Sequence, residues 1–133
     1  MKPQVFEFTV TVASEHIDAQ NHVNNLVYLE WCLEAAEKHW SRNATNQLLN
    51  EYVWFVLKHE IHYKAQAVLG DQLCLKTWVS SNAGVRSERQ YEIYNQKSGK
   101  LLVQAKTLWC LLRADSKKPT AIPEEICNLF VDE

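Results

Sequence analysis

Residues 24–40 read NNLVYLEWCLEAAEKHW, and how this stretch folds decides the rest of the chain. On a wheel of about 100° per residue, Glu30, Glu34, Glu37 and Lys38 gather in one arc of about 100°. Tyr28, Leu29, Trp31, Cys32, Leu33, Ala35, Ala36 and Trp40 fill most of the remaining girth. A surface helix needs only a narrower apolar stripe. This one asks for cover over more than half its circumference. A flat layer cannot supply that, whereas a strongly curved sheet can wrap it. The spacing predicts a helix from about Asn24 to Trp40, with room to continue to Leu49.

The sheet is written on both sides of the helix. Gln4–Val12 has the composition of a strand, through Val5, Phe6, Phe8, Val10 and Val12. The segment carries Glu7 and alternates, so it reads as a strand and not as a signal peptide. Val53–Val68 alternates next: Val53, Phe55, Leu57, His59, Ile61 and Tyr63 fall on one face, Trp54, Val56, Lys58, Glu60, His62 and Lys64 on the other. Gly70-Asp71 marks a turn. In Gln72–Ser81, Leu73, Leu75, Thr77 and Val79 alternate against Cys74, Lys76, Trp78 and Ser80. Asn82-Ala83-Gly84 turns into Val85–Tyr94, and Ser98-Gly99 into Leu101–Arg113. IPEEICNLF predicts a short closing helix, with Pro123 near its first turn and Glu124 and Glu125 at its positive end. The expected fold class is α+β: an antiparallel five-stranded sheet wrapped around one long central helix.

The 133 residues suit one domain, 1–133, large enough to bury a core without disulfides or metal staples. A formal charge of −2 leaves no basic footprint for nucleic acid and no polybasic patch for a lipid surface. No apolar run approaches the roughly 20 residues of a membrane span. Cys32, Cys74, Cys110 and Cys127 form no C-x-x-C pair and sit among apolar neighbours, so they read as small buried hydrophobes. A reducing, cytoplasmic setting is the default for such a chain.

Just ahead of the helix, residues 16–25 crowd two histidines, an aspartate, three asparagines and a glutamine. Asp18-x-x-x-His22-Val23-Asn24-Asn25-x-x-Tyr28-x-x-Trp31, followed by Glu34 and Ala35, resembles the signature of hotdog-fold thioesterases. The resemblance is closest to the branch of 4-hydroxybenzoyl-CoA thioesterase-like enzymes and plant acyl-carrier-protein (acyl-ACP) thioesterases. HEIHYKAQAVLGD (59–71) resembles the family's second strand and its Gly-Asp turn, and KPTAIPEEI (118–126) its closing segment, so the likeness spans nearly the whole chain. Three positions depart from the pattern. Asn21 stands where many members have Gly, and Asn tolerates left-handed backbone. Gln20 stands where the plant enzymes have Asn. A Pro found in many relatives near Ala65 is missing.

The resemblance implies an acyl-CoA thioesterase acting without a metal or other cofactor. Alternatives are an acyl-ACP thioesterase, or a non-catalytic acyl-thioester-binding protein of the same fold. Thioester hydrolysis needs a group that attacks or activates water, donors for the oxyanion and a slot for the acyl chain. Asp18 is the one carboxylate in the polar stretch, as nucleophile or as general base; the alternative is a loop carboxylate or helix cap. His22 joins it as a catalytic candidate, or locks the loop. Asn24, Asn25 and Tyr28 are candidate substrate-binding residues; as caps or core aromatics they have purely structural readings too. Backbone N–H groups near His22, Val23 and Asn24, at the positive end of the helix, are expected to hold the developing charge.

A metal is not expected. His16, Asp18 and His22 match no zinc spacing, and His59 and His62 face opposite sides of a strand. Cys32 has no positive neighbour to activate it. Trp54, Val56, Trp78 and Val103 suggest more apolar sheet surface than one helix covers, which points to a homodimer or homotetramer. The resemblance implies the same, with active sites at the shared interface; His59, Glu60 and Arg86–Ser87 are weak candidates to complete them. Arg86, Arg89, Lys58 and Lys64 are available to CoA phosphates.

Overall fold

The computed structural model describes residues 2–133. Its axis is helix α1, Asn25–Asn43, 19 residues in length. Asn24 caps it, its side-chain oxygen accepting the Leu26 N–H at 2.9 Å. Tyr28, Trp31, Cys32, Ala35, Ala36 and His39 are buried at helical spacing. The wheel had marked the apolar members of that face; His39 lies among them, 1 % exposed. The helix stops where Ala44 turns extended (φ −76°, ψ 145°). Thr45 then caps a second, short helix α2, Asn46–Glu51, by accepting the Leu48 N–H at 3.2 Å. The expected run to Leu49 is therefore two helices.

The main sheet has five strands: β2 (Phe6–Thr11), β3 (Tyr52–Tyr63), β4 (Gln72–Ala83), β5 (Arg86–Asn95) and β6 (Leu101–Arg113). Their order is β2-β4-β5-β6-β3 and every neighbouring pair is antiparallel. A minute second sheet pairs β1 (Lys2–Pro3) with β7 (Val131–Asp132), which follows helix α3, Glu124–Asn128. Three register irregularities, at Val56/Lys58, Val79/Ser81 and Ile93/Tyr94, interrupt the ladders. Such bulges bend a strand and sharpen its twist, which lets one sheet curl around one helix.

Along β4, alternation reads straight through to burial: Leu73, Leu75, Thr77 and Val79 all lie inside. Along β3 it does not. The extra residue at Leu57 inverts the face, so Trp54 and Val56 pair with inward Leu111 and Trp109, whereas His59 and Ile61 face inward beyond the bulge. Phe55 and Leu57 are thereby left 56 % and 43 % exposed. The expected apolar surplus shrinks accordingly. Val103 is fully buried, half-buried Trp54 packs against the core, and Trp78 alone of that group has the outward parity of its strand. Each large apolar side chain fully buried in this way contributes about 1.5–3 kcal/mol.

Candidate active site

Between β2 and α1 the chain makes a miniature hairpin. A 3-10 turn at Ser14–His16 leads to a bridge between Ile17 and Val23. The Asp18 N–H donates to His22 O (2.9 Å) and the Asn21 N–H to Asp18 O (3.1 Å). Asn21 takes φ 64°, the left-handed geometry that Gly would favour and Asn accepts. The Asp18 carboxylate accepts the Gln20 N–H through Oδ1 at 2.8 Å, which orients it. Asp18 is part-exposed and, among the described residues, has no cationic partner within ion-pair distance.

The loop is clamped to the rest of the molecule through one peptide. The Val23 N–H donates to Ala67 O (3.1 Å), and the Ala67 N–H donates to the Tyr28 hydroxyl (3.0 Å). Tyr28 is 1 % exposed and meets Trp31 edge-on at 5.8 Å between ring centroids. Burial pushes its pKa up, so the hydroxyl stays protonated. In the single chain Tyr28 thus holds the loop through Ala67 and does not reach an open surface. His22 is half-buried; Asn24 and Asn25 are exposed. The Asn25 carbonyl accepts the Tyr63 hydroxyl at 3.2 Å, tying the end of β3 to the start of α1.

The expected oxyanion donors are only partly free. Val23 gives its N–H to Ala67, and Asn24 gives its own to His16 O at 2.9 Å. Among the described residues, the N–H groups of His22 and Asn25 have no acceptor. His16, one of the trio with Asp18 and His22 that matches no zinc spacing, uses Nδ1 to accept the Ala13 N–H at 2.9 Å. No cluster of three or more potential ligands occurs among the described residues. Cys32 is buried and its thiol pushed up to about 12, so it is no nucleophile.

A second polar group lies toward the other end of α1, and the motif did not signal it. Arg89 on β5 is 5 % exposed and turned inward, which removes it from any surface contact with phosphate; Arg86, Lys58 and Lys64 are exposed. Its Nη1 donates to His39 Nδ1 (2.9 Å) and to the Thr77 hydroxyl (3.1 Å). Because Nδ1 accepts, the His39 proton sits on Nε2, which donates to Gln4 Oε1 at 2.8 Å. Burial, then Arg89 and Arg42, lower the His39 pKa to about 3, so the ring is neutral at physiological pH. Phe6 stacks on that ring at 5.3 Å and Phe130 meets it edge-on at 4.8 Å. Strand parity was the available signal: Arg89 shares the inward face with Ser87, Tyr91 and Ile93. Of the other weak candidates, His59 bonds the Thr107 hydroxyl at 2.9 Å and Ser87 is buried, while Glu60 faces His62 and Lys106.

Arg89 and Ser87 help line a cavity of about 340 Å³ between the second half of α1 and the sheet. Its wall is otherwise mostly apolar, with Trp40, Trp54, Val79 and Trp109 among the lining residues. This is a slot of the size at which small-ligand pockets begin.

Known proteins with similar chains agree with this architecture. An acyl-[acyl-carrier-protein] hydrolase of Cuphea viscosissima is 30 % identical over 86 residues, 62 % of this chain and 21 % of that protein. The match thus spans about a fifth of that curated relative's length. A 1,4-dihydroxy-2-naphthoyl-CoA thioesterase from Synechocystis superposes with a TM-score of 0.82 at 22 % identity, covering 94 % of both chains. A 12:0-ACP thioesterase from Umbellularia californica gives a TM-score of 0.83 at 18 % identity, over 97 % of this chain and 51 % of the other. The fold is the hotdog fold that the resemblance implied. The sequence model of the acyl-ACP thioesterase N-terminal domain matches residues 3–130, and the chain belongs to that family.

Proposed function

We propose that this chain, as a single hotdog domain, is a thioester hydrolase that converts an acyl-CoA to free acid and CoA with Asp18 as its central group. One observation carries the reading: a carboxylate with no ion-pair partner among the described residues sits in a tight, clamped loop at the positive end of a buried helix. As base, Asp18 takes a proton from water while the water oxygen bonds to the acyl carbon. As nucleophile, it displaces the thiolate to form a mixed anhydride that water then opens. Either way the C–S bond breaks and the thiolate leaves with a proton. The N–H groups of His22 and Asn25 are the donors left to meet the oxyanion. The His22 ring and the Asn24 and Asn25 side chains are the proposed contacts to the thioester. Tyr28 acts as a positioning residue through Ala67. Among the described residues no helix is long and apolar enough to cross a membrane, and four free cysteines suit a reducing cytoplasm.

Two copies joined along the β3 edge complete the proposed enzyme. β3 is an outer strand of the sheet, its exposed Phe55 and Leu57 need cover, and its far end touches the start of α1 through Tyr63. A concentration-independent monomer in sedimentation would remove this part.

The Cuphea relative is an acyl-[acyl-carrier-protein] hydrolase, which supports a second carrier, acyl carrier protein. The deciding experiment offers one acyl group on both carriers to wild type and to Asp18→Asn. Release of free thiol by wild type and its loss in the variant supports hydrolysis. Tight binding of CoA esters with no thiol released by either would make the chain a binder.

A further inference from the structure

We propose that the cavity under the second half of α1 takes an apolar chain ending in a carboxylate, which Arg89 holds. The inference rests on the thioesterase reading for where such a chain comes from, and on the cavity itself for its chemistry.

A guanidinium has five N–H donors, and Arg89 uses only Nη1, toward His39 and Thr77. Nε and Nη2 have no protein acceptor among the described residues. No carboxylate there lies within ion-pair distance of the group. Its surroundings are neutral: the His39 ring accepts through Nδ1, Thr77 offers a hydroxyl, and the Phe130 ring lies 5.3 Å from the guanidinium carbon. Burial lowers the Arg89 pKa to about 10, which leaves it cationic at neutral pH. A buried cation without a counter-charge is costly, and proteins normally pair such a group. Here Arg89 lines a cavity.

The same wall carries further unmet polarity. Trp109 lines the cavity, and among the described residues its buried indole N–H has no well-formed bond, the Tyr91 hydroxyl being its near neighbour. Ser87, also on β5 and lining the cavity, adds a hydroxyl. The rest of the wall is mostly aliphatic and aromatic; its other polar members, Glu37, Ser41 and Asn82, are solvent-exposed, and Glu37 accepts the Ser41 hydroxyl at 2.8 Å. Donors gathered at one place in a mostly apolar slot select an occupant with an acceptor at one end, and the fixed charge prefers an anion.

Two sources supply that chemistry. One is a substrate whose acyl group bears a second carboxylate at its far end. The other is the released fatty acid, retained as a product. Leu33, the lining residue earliest in α1, lies eight positions beyond Asn25, about 12 Å along the helix.

The test begins with binding alone. Calorimetric titration compares dodecanoic acid with dodecanol, on wild type and on Arg89→Met and Arg89→Lys. The expected result is a preference of wild type for the acid of about tenfold or more, the strength typical of a charge-assisted bond in a dry site. Arg89→Met should bring the two ligands together, and Arg89→Lys should keep part of the preference. Equal binding of acid and alcohol by wild type overturns the proposal even should a variant fail to fold. So does an acid preference undiminished in Arg89→Met. A second arm measures kcat/KM for an ω-carboxyacyl-CoA against the plain acyl-CoA of equal length. Faster turnover of the ω-carboxy substrate, lost in Arg89→Met, assigns the site to substrate. Better turnover of the plain substrate, with Arg89-dependent inhibition by free acid, assigns it to product. Hydrolysis of neither thioester alongside an Arg89-dependent acid preference would sink the thioesterase reading and leave the carboxylate site standing.

Discussion

The two halves of α1 handle polar side chains in opposite ways. At the first turn, Asp18, His22, Asn24 and Asn25 stand part or fully exposed around a clamped loop. About four turns on, His39 and Arg89 sit in the dry interior, 1 % and 5 % exposed. Water partners whatever the loop leaves unbonded, so its groups can wait for a substrate at little cost in stability. The interior has no such reserve, and each unmet donor there is expensive. The wet end is therefore free to be reactive. The dry end has to be specific, because only an occupant that matches its donors relieves the cost.

The largest effect belongs to the wet end. Asp18→Asn keeps Oδ1 as acceptor for the Gln20 N–H, so the loop survives while the acid is gone. Turnover should fall by about 10²–10⁴-fold with the melting temperature nearly unchanged. Near-normal turnover on a good thioester would move the chemistry away from Asp18 and break the contrast at its source.

Tyr28→Phe asks whether the clamp between the halves is structural. The Ala67 N–H, on a residue with no exposed surface, would lose its acceptor, at about 1–3 kcal/mol in denaturant unfolding. Stability lost with kcat retained supports positioning; kcat lost with stability retained would put Tyr28 in direct touch with substrate.

Acid should strain the dry end first. The His39 pKa is about 3 in the folded chain against an ordinary 6.5, so the unfolded chain takes up this proton earlier as pH falls. The contribution is complete above pH 6.5. It shrinks by up to about 1.4 kcal/mol per pH unit on acidification, until the folded-state value is reached. Urea midpoints from pH 7 to 4 should show this slope in wild type and a flatter one in His39→Gln. Parallel slopes would mean that the ring is not buried neutral.

The smallest effect returns to the loop. Asn24→Ala removes the cap on Leu26 and should cost about 1 kcal/mol. A disproportionate loss of kcat/KM would add a substrate contact to its capping role.

Legibility in the sequence followed the range of the interaction. β4 could be read residue by residue, because strand parity is local and unbroken from Leu73 to Val79. In β3 the same rule failed across Leu57, since a bulge answers to the partner strand and leaves no mark of its own. The polar loop was visible because its residues are consecutive, and Asn21 met the left-handed turn expected of it. Arg89 and His39 stayed hidden as a pair. They are 50 residues apart, and Arg89 read as a cation available to CoA phosphates.

By itself the amino-acid order determined an over-wide apolar helix, the strands that must curl around it, and a compact polar loop at its start. These follow from periodicities of 3.6 and 2 and from side chains adjacent in the chain. Only the tertiary structure decided that β3 changes face midway, that Tyr28 serves Ala67, and that an uncompensated guanidinium borders an apolar cavity. Each of those depends on which distant strand or helix stands opposite, and burial, not residue type, turns a common arginine into a demand for a ligand.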